Sequence, residues 1–195
     1  MRRGGGTGAG GASELKDRVM GLKIKLASLA IGGAIWIASG AAGFAAKDMA
    51  AGTASGLPVP RYVSLKSDHV NVRAGPTKDH DVAWVYTRAG LPVEITAEFE
   101  NWRRVRDSEG AEGWVYHSLL SGRRTAVVTM KNKDELAPIY DRADPASAVA
   151  ARLQAGVVAQ VRRCNEGWCR VTGNGFDGWI EQQRLWGVYA DEKVN

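Results

Sequence analysis

The sequence predicts an all-β protein: two small β-barrels in tandem, preceded by an apolar N-terminal helix and a flexible linker. Three observations carry this. A pattern anchored on Gly and Trp occurs twice at nearly the same spacing. Apolar residues alternate with polar ones, and turn-forming residues recur at intervals of roughly ten residues. No amphipathic helical segment follows the apolar run. The chain of 195 residues accommodates two units of about 60, each marginal for a lone core and helped by its neighbour.

In chain order, the N-terminal segment comes first. Residues 26–46 read LASLAIGGAIWIASGAAGFAA, carry no charge and follow Lys23 and Lys25. A basic flank, an apolar stretch and a small-residue end form a secretory signal pattern, with cleavage expected near Ala45 or Ala46. The same 21 residues are long enough to cross a bilayer as an uncleaved inner-membrane anchor. In either case the positive charge lies before the apolar run, so residues 47–195 are expected outside the cytoplasm, in the periplasm or beyond it. Met20 would begin a signal of more ordinary length, and Arg2-Arg3 lies too far from the apolar run for a twin-arginine signal.

Charge follows the same division. Of the 26 basic and 21 acidic residues, six basic and two acidic fall within residues 1–46, which leaves 20 and 19 in the remainder. The formal +5 therefore belongs mostly to the leader, and the rest of the chain has no overall field to attract a phosphate backbone. A nucleic-acid partner is not expected. A hydrophobic share of 45% excludes a disordered chain, and a single long apolar segment excludes a polytopic membrane protein.

Residues 47–60 (KDMAAGTASGLPVP) are small, end in two prolines and read as a linker. The first unit, residues 61–122, contains Gly90, Trp102-Arg103-Arg104-Val105 and Gly113-Trp114-Val115. Leu91, Val93, Ile95, Ala97 and Phe99 alternate with Glu94, Thr96, Glu98 and Glu100, which predicts a strand with one buried face. The glutamates are expected to pair across strands with Arg103, Arg104 and Arg106. The turn Asp107-Ser108-Glu109-Gly110 separates two short strands.

The second unit, residues 123–190, repeats this order with Gly156, Trp168-Cys169-Arg170-Val171 and Gly178-Trp179-Ile180, and residues 191–195 read as a tail. Gly to Trp is 12 residues in both copies; the two Trp are 12 apart in the first and 11 in the second, a one-residue deletion in a turn. Gly113 and Gly178 are expected where the backbone of another strand comes close, and Trp114 and Trp179 as core or barrel-rim packing. The clusters Arg123-Arg124 and Arg162-Arg163 with Arg170 give the second copy a mild positive excess.

The run Val70-Asn71-Val72-Arg73-Ala74-Gly75-Pro76, a Gly-led strand, a turn before Trp102 and then Gly113-Trp114-Val115 together resemble the bacterial SH3-like (SH3b) domain. The resemblance covers roughly 62–122 and, with a degenerate start at 137–145, 125–190. It implies a five-stranded, partly open barrel with long loops in each copy, and a non-catalytic binding role, often at the cell wall. Gly75-Pro76 suits a tight bend, and Arg73 offers a planar fork of donors for loop carbonyls or a carboxylate, the former being preferred.

Cys164 and Cys169 bracket Asn165-Glu166-Gly167-Trp168. On a hairpin the two fall opposite each other, within disulfide reach. With export, this favours a disulfide over two free buried cysteines.

Catalysis is not expected. A cysteine nucleophile needs a histidine to activate it, yet His69, His80 and His117 all lie in the first copy and both cysteines in the second. No serine-hydrolase, metalloprotease or phosphate-loop motif occurs. Asp79-His80-Asp81 reads as solvated loop, so no metal and no cofactor are expected. The candidate ligand-binding residues are Tyr62, Trp84, Tyr86, Trp102 and Tyr116 as an apolar groove, with Arg73 and Arg104 for carboxylates. The expected partner is peptidoglycan peptide or an envelope protein. The alternative is a scaffold or regulator of a separate wall enzyme that does not itself bind the wall.

Overall fold

The computed structural model describes residues 50–132 and 134–195. The apolar run 26–46 and the first residues of the linker lie outside the described residues. Among the described residues, no helix is long and apolar enough to cross a membrane.

The chain from Arg61 onward forms two seven-stranded antiparallel sheets. The first contains β3 (Arg61–Leu65), β4 (Val70–Arg73), β5 (Val82–Tyr86), β6 (Pro92–Phe99), β7 (Trp102–Arg106), β8 (Glu112–Tyr116) and β9 (Leu120–Ser121), in the order β5-β4-β8-β7-β6-β3-β9. The second contains β10 (Thr125–Val128), β11 (Ala137–Tyr140), β12 (Val149–Leu153), β13 (Val158–Asn165), β14 (Trp168–Gly173), β15 (Phe176–Glu181) and β16 (Leu185–Trp186), in the order β12-β11-β15-β14-β13-β10-β16. Replacing each strand of one order by its counterpart gives the other, so the sequence repeat is a repeat of topology. A single 3-10 turn precedes the last strand of each, at His117–Leu119 and Gln182–Arg184.

The first sheet curls into a half-barrel. The expectation of two small barrels is corrected for the second, which is described as a sheet with the same strand order. Neither closes edge to edge. The terminal strands β9 and β16 are two residues long and pair with β3 and β10 alone, which leaves β5 and β12 as free edges.

Each sheet has its own core. Leu65, Val70, Val72, Val93, Ile95, Val105 and Val115 form the first. Ala126, Val128, Ile139, Ala159, Val161, Val171, Ile180 and the two cysteines are prominent in the second. Gly113 and Gly178 occupy matching places. A Cβ on Gly113 would collide with Val72 Cγ1 and crowd the Arg73 carbonyl at 3.2 Å; one on Gly178 would collide with Ile139 Cγ2 and lie 2.8 Å from the Tyr140 carbonyl.

The strict alternation predicted for residues 91–100 fails at one point. The β6–β7 register slips between Ile95 and Ala97, a bulge that reverses which face later side chains take. Val93 and Ile95 point into the core, but beyond the bulge the inward residue is Glu98, its side chain fully buried, and Phe99 is turned out at 47% exposed. Strand β13 slips between Val161 and Arg163 in the same way, and Cys164 takes the inward position there.

Residues 50–60, expected as flexible linker, instead form an ordered hairpin. β1 (Ala50–Ala51) pairs with β2 (Pro58–Val59), and the intervening loop closes on Glu98. Ala54 and Ser55 amides donate to Glu98 Oε2 at 3.1 and 2.8 Å, and Ser55 Oγ donates to Oε1 at 2.6 Å. Arg61 and Arg103 reach the same Oε1 at 2.8 and 3.2 Å. Burial alone would raise the Glu98 pKa, but the hydrogen bonds from Ser55 and Arg61 outweigh it and hold the carboxyl down at about 2.

The expected tail is likewise packed. Cys164 N–H donates to the Val194 carbonyl at 2.9 Å, and Val194 N–H donates back at 3.2 Å. Glu192 accepts two bonds from Arg124, at 2.7 and 3.0 Å. The reason is local: Val194 adds an apolar side chain to the second core, and Glu192 neutralises a half-buried guanidinium.

Candidate functional site

The outer face of the first sheet is built by cross-strand pairs. Opposite one another on β7 and β8 stand Trp102 and Tyr116, Arg104 and Trp114, and Arg106 and Glu112, while Arg73 of β4 stands opposite Trp114. At one end of this face a groove of about 160 Å³ is lined by Asn71, Arg73, Lys78, Trp102, Tyr116 and Leu119. Trp102 and Tyr116 meet edge to face, with ring centroids 5.4 Å apart. Trp102 is largely buried, so Tyr116 and Leu119 supply most of the apolar wall.

Arg73 donates from Nη1 to the His80 carbonyl at 2.6 Å, tying down the loop that follows Gly75-Pro76. That loop carries Lys78 to the rim. The groove thus combines two cations with an aromatic wall, a chemistry suited to an extended peptide bearing a carboxylate.

Three of the seven sequence candidates, Arg73, Trp102 and Tyr116, come together here. The other four do not. Tyr62 lies where the two sheets meet, with its ring 5.1 Å from Trp186 and 4.6 Å from Tyr189. Burial, with Glu94 close by, pushes its hydroxyl up to about 12. Trp84 and Tyr86 sit on edge strand β5, stacked edge to face at 6.1 Å and packed partly on the core. Tyr86 donates to Asp107 Oδ2 at 3.0 Å, and its pKa is raised by burial and then by that carboxylate. Arg104 is half exposed and paired with Glu112 at 2.7 Å. Sequence reasoning missed Asn71, Lys78 and Leu119. Lys78 had a legible signal, its place two residues after the Gly75-Pro76 bend.

Matching positions in the second copy differ. Tyr140 replaces Arg73 and meets Trp168 edge to face at 5.7 Å, and Arg163 lies over Trp179 at 5.6 Å. The loop carbonyl that Arg73 holds in the first copy therefore has no guanidinium at the corresponding strand position.

The sheets are joined by polar contacts as well. Tyr189 donates to Glu94 Oε1 at 2.9 Å, and Arg106 ion-pairs with the same carboxylate, its Nε 3.1 Å from Oε2. Glu94 is 2% exposed, because Tyr189 and Arg106 cover the face on which it stands.

The family match agrees with the tandem architecture. The sequence pattern of the bacterial SH3 domain matches twice, over residues 66–122 and 133–187. The chain belongs to the bacterial SH3 domain family. Among solved structures it is similar to NlpC2 and NlpC1 from Trichomonas vaginalis, at 17% identity and a TM-score of 0.29 with each. The similarity covers 65% and 70% of this chain and 48% of each of those, so the chain spans about half their length. No curated protein matches the chain.

The chain thus carries two bacterial SH3 domains in tandem. Both cysteines are joined to each other at 2.05 Å, so neither thiol is available as a nucleophile. Among the described residues, no group of three or more His, Cys, Asp or Glu is placed to hold a metal.

Proposed function

We propose that the protein is an exported module whose first SH3 domain holds cell-wall peptide in the Arg73–Trp102–Tyr116 groove. The observation that carries this reading is the convergence of Arg73 and Lys78 with the Trp102–Tyr116 pair, since stem peptides offer both an extended backbone and free carboxylates. The apolar run 26–46 after Lys23 and Lys25 supports an extracytoplasmic location, by secretion or by anchoring in the inner membrane.

The test is retention of the purified protein on isolated peptidoglycan, with bovine albumin as control. Retention above albumin that falls in Tyr116→Ala is the expected result; retention equal to albumin overturns wall binding. Crosslinking in intact cells that captures a protein partner without wall retention would favour a scaffold or regulator of a wall enzyme. A periplasmic reporter fused after residue 60 tests the location.

A further inference from the structure

The arginine clusters of the sequence mostly find carboxylates or rings. Arg103 meets Glu98, Arg104 Glu112, Arg106 Glu94, Arg124 Glu192 and Arg170 Asp177, while Arg163 covers Trp179. Among the described residues, Arg123 and Arg162 have no such partner, and neither has Arg88. These three line one cleft of about 450 Å³ where the two sheets meet, together with Thr125, Gln160 and Thr172 and without a single carboxylate.

Two of the arginines are held in place by neutral contacts that leave their charge uncompensated. Arg88 donates from Nη1 across the junction to the Gly156 carbonyl at 3.1 Å. Arg162 donates from Nε to Thr172 Oγ1 at 3.2 Å. Arg123 Nη2 lies over Gly90, 3.7 Å from where a Cβ would stand. Thr125, 5% exposed, contributes a second and independent sign, a buried hydroxyl that has no hydrogen-bond partner among the described residues.

We propose that this cleft is a binding site for a phosphate-bearing ligand with two or more negative charges. Guanidinium forks match phosphate oxygens in pairs, and hydroxyl and amide groups on the same walls supply the neutral donors that a tetrahedral oxyanion also takes. Three uncompensated positive charges exceed what a single carboxylate neutralises. The site is made by both copies, Arg88 from the first and Arg162 from the second, so it exists only in the tandem. It shares no lining residue with the Arg73 groove and stands or falls separately from it.

The test is calorimetric titration of the full chain with inorganic pyrophosphate at low ionic strength, and with tricarballylate as a carboxylate of comparable charge. The expected result is saturable binding of one pyrophosphate, weakened about tenfold by each of Arg88→Gln, Arg123→Gln and Arg162→Gln. Arg152→Gln, an exposed arginine of edge strand β12 away from the cleft, leaves binding unchanged. Far-ultraviolet circular dichroism of each variant separates loss of the site from loss of the fold. No saturable binding, equal weakening by Arg152→Gln, or indifference to the three cleft variants would overturn the site. Equal affinity for tricarballylate would overturn its assignment to phosphate.

Discussion

Glu98 and Arg103 face each other across the β6–β7 hairpin at 3.2 Å, in the ladder position that Cys164 and Cys169 hold in the second copy. Each pair follows a bulge, points inward and lies two positions from the hairpin tip. One copy closes this place with a buried ion pair that also grips the preceding hairpin, the other with a covalent bond. Glu98→Gln removes the charge that Arg61 and Arg103 share and is expected to destabilise the first domain by about 3 kcal/mol. Urea unfolding of variant and parent measures it.

The same carboxylate sets an acid limit. Its folded pKa, about 2, lies below the ordinary 4.5, so the unfolded state binds the proton first. The stabilisation is complete above pH 4.5 and is lost as pH falls through that value towards about 2. Glu192, held low by Arg124 against the effect of burial, acts in the same direction. Urea midpoints followed into acid should fall for the parent and fall less steeply for Glu98→Gln.

At the alkaline end Tyr62 has the opposite sign. Its raised pKa means that the folded state keeps the proton longer, so stability falls as pH rises through 10 towards about 12. Tyr62→Phe should flatten that limb, read from thermal midpoints across the range.

Tyr189→Phe deletes the hydroxyl that Glu94 accepts across the domain junction. The expected cost is about 1–2 kcal/mol. Because the bond joins the two sheets, the unfolding transition should also broaden as the domains lose coupling. Intrinsic tryptophan fluorescence against urea reads both effects.

Gly178→Ala places a methyl group against Ile139 and the Tyr140 carbonyl. Backbone cannot yield as a flexible side chain does, and the expected loss is about 2 kcal/mol or more. Reducing the disulfide, or Cys164→Ser with Cys169→Ser, should cost about 2 kcal/mol, as a short closed loop implies. Denaturant midpoints of the variants check both values.

Much of this was legible in the residues. The Gly–Trp spacing gave the tandem, the hairpin context gave the disulfide, and Arg73 ties down a loop carbonyl as its fork of donors suggested. Glu98 was not legible as a buried group, because a bulge has no signature in alternation and one inserted residue exchanges the faces. Nor were the roles of residues 50–60 and 191–195. Small and polar residues read as unstructured until a buried carboxylate or a guanidinium elsewhere in the chain gives their donors and acceptors a partner. The groove was half legible: aromatic type marked Trp102 and Tyr116, but the same type also marked Tyr62, whose ring is used to join the domains.

The hairpin clasped by Glu98 has a mechanical consequence. Tension applied at Ala50 does not run straight into the β3–β6 ladder; it first meets Ala54, Ser55 and Arg61 gathered on one carboxylate. The load is borne at a single point, and acidification, which discharges that point, would let the strap peel away while the ladder behind it stays whole.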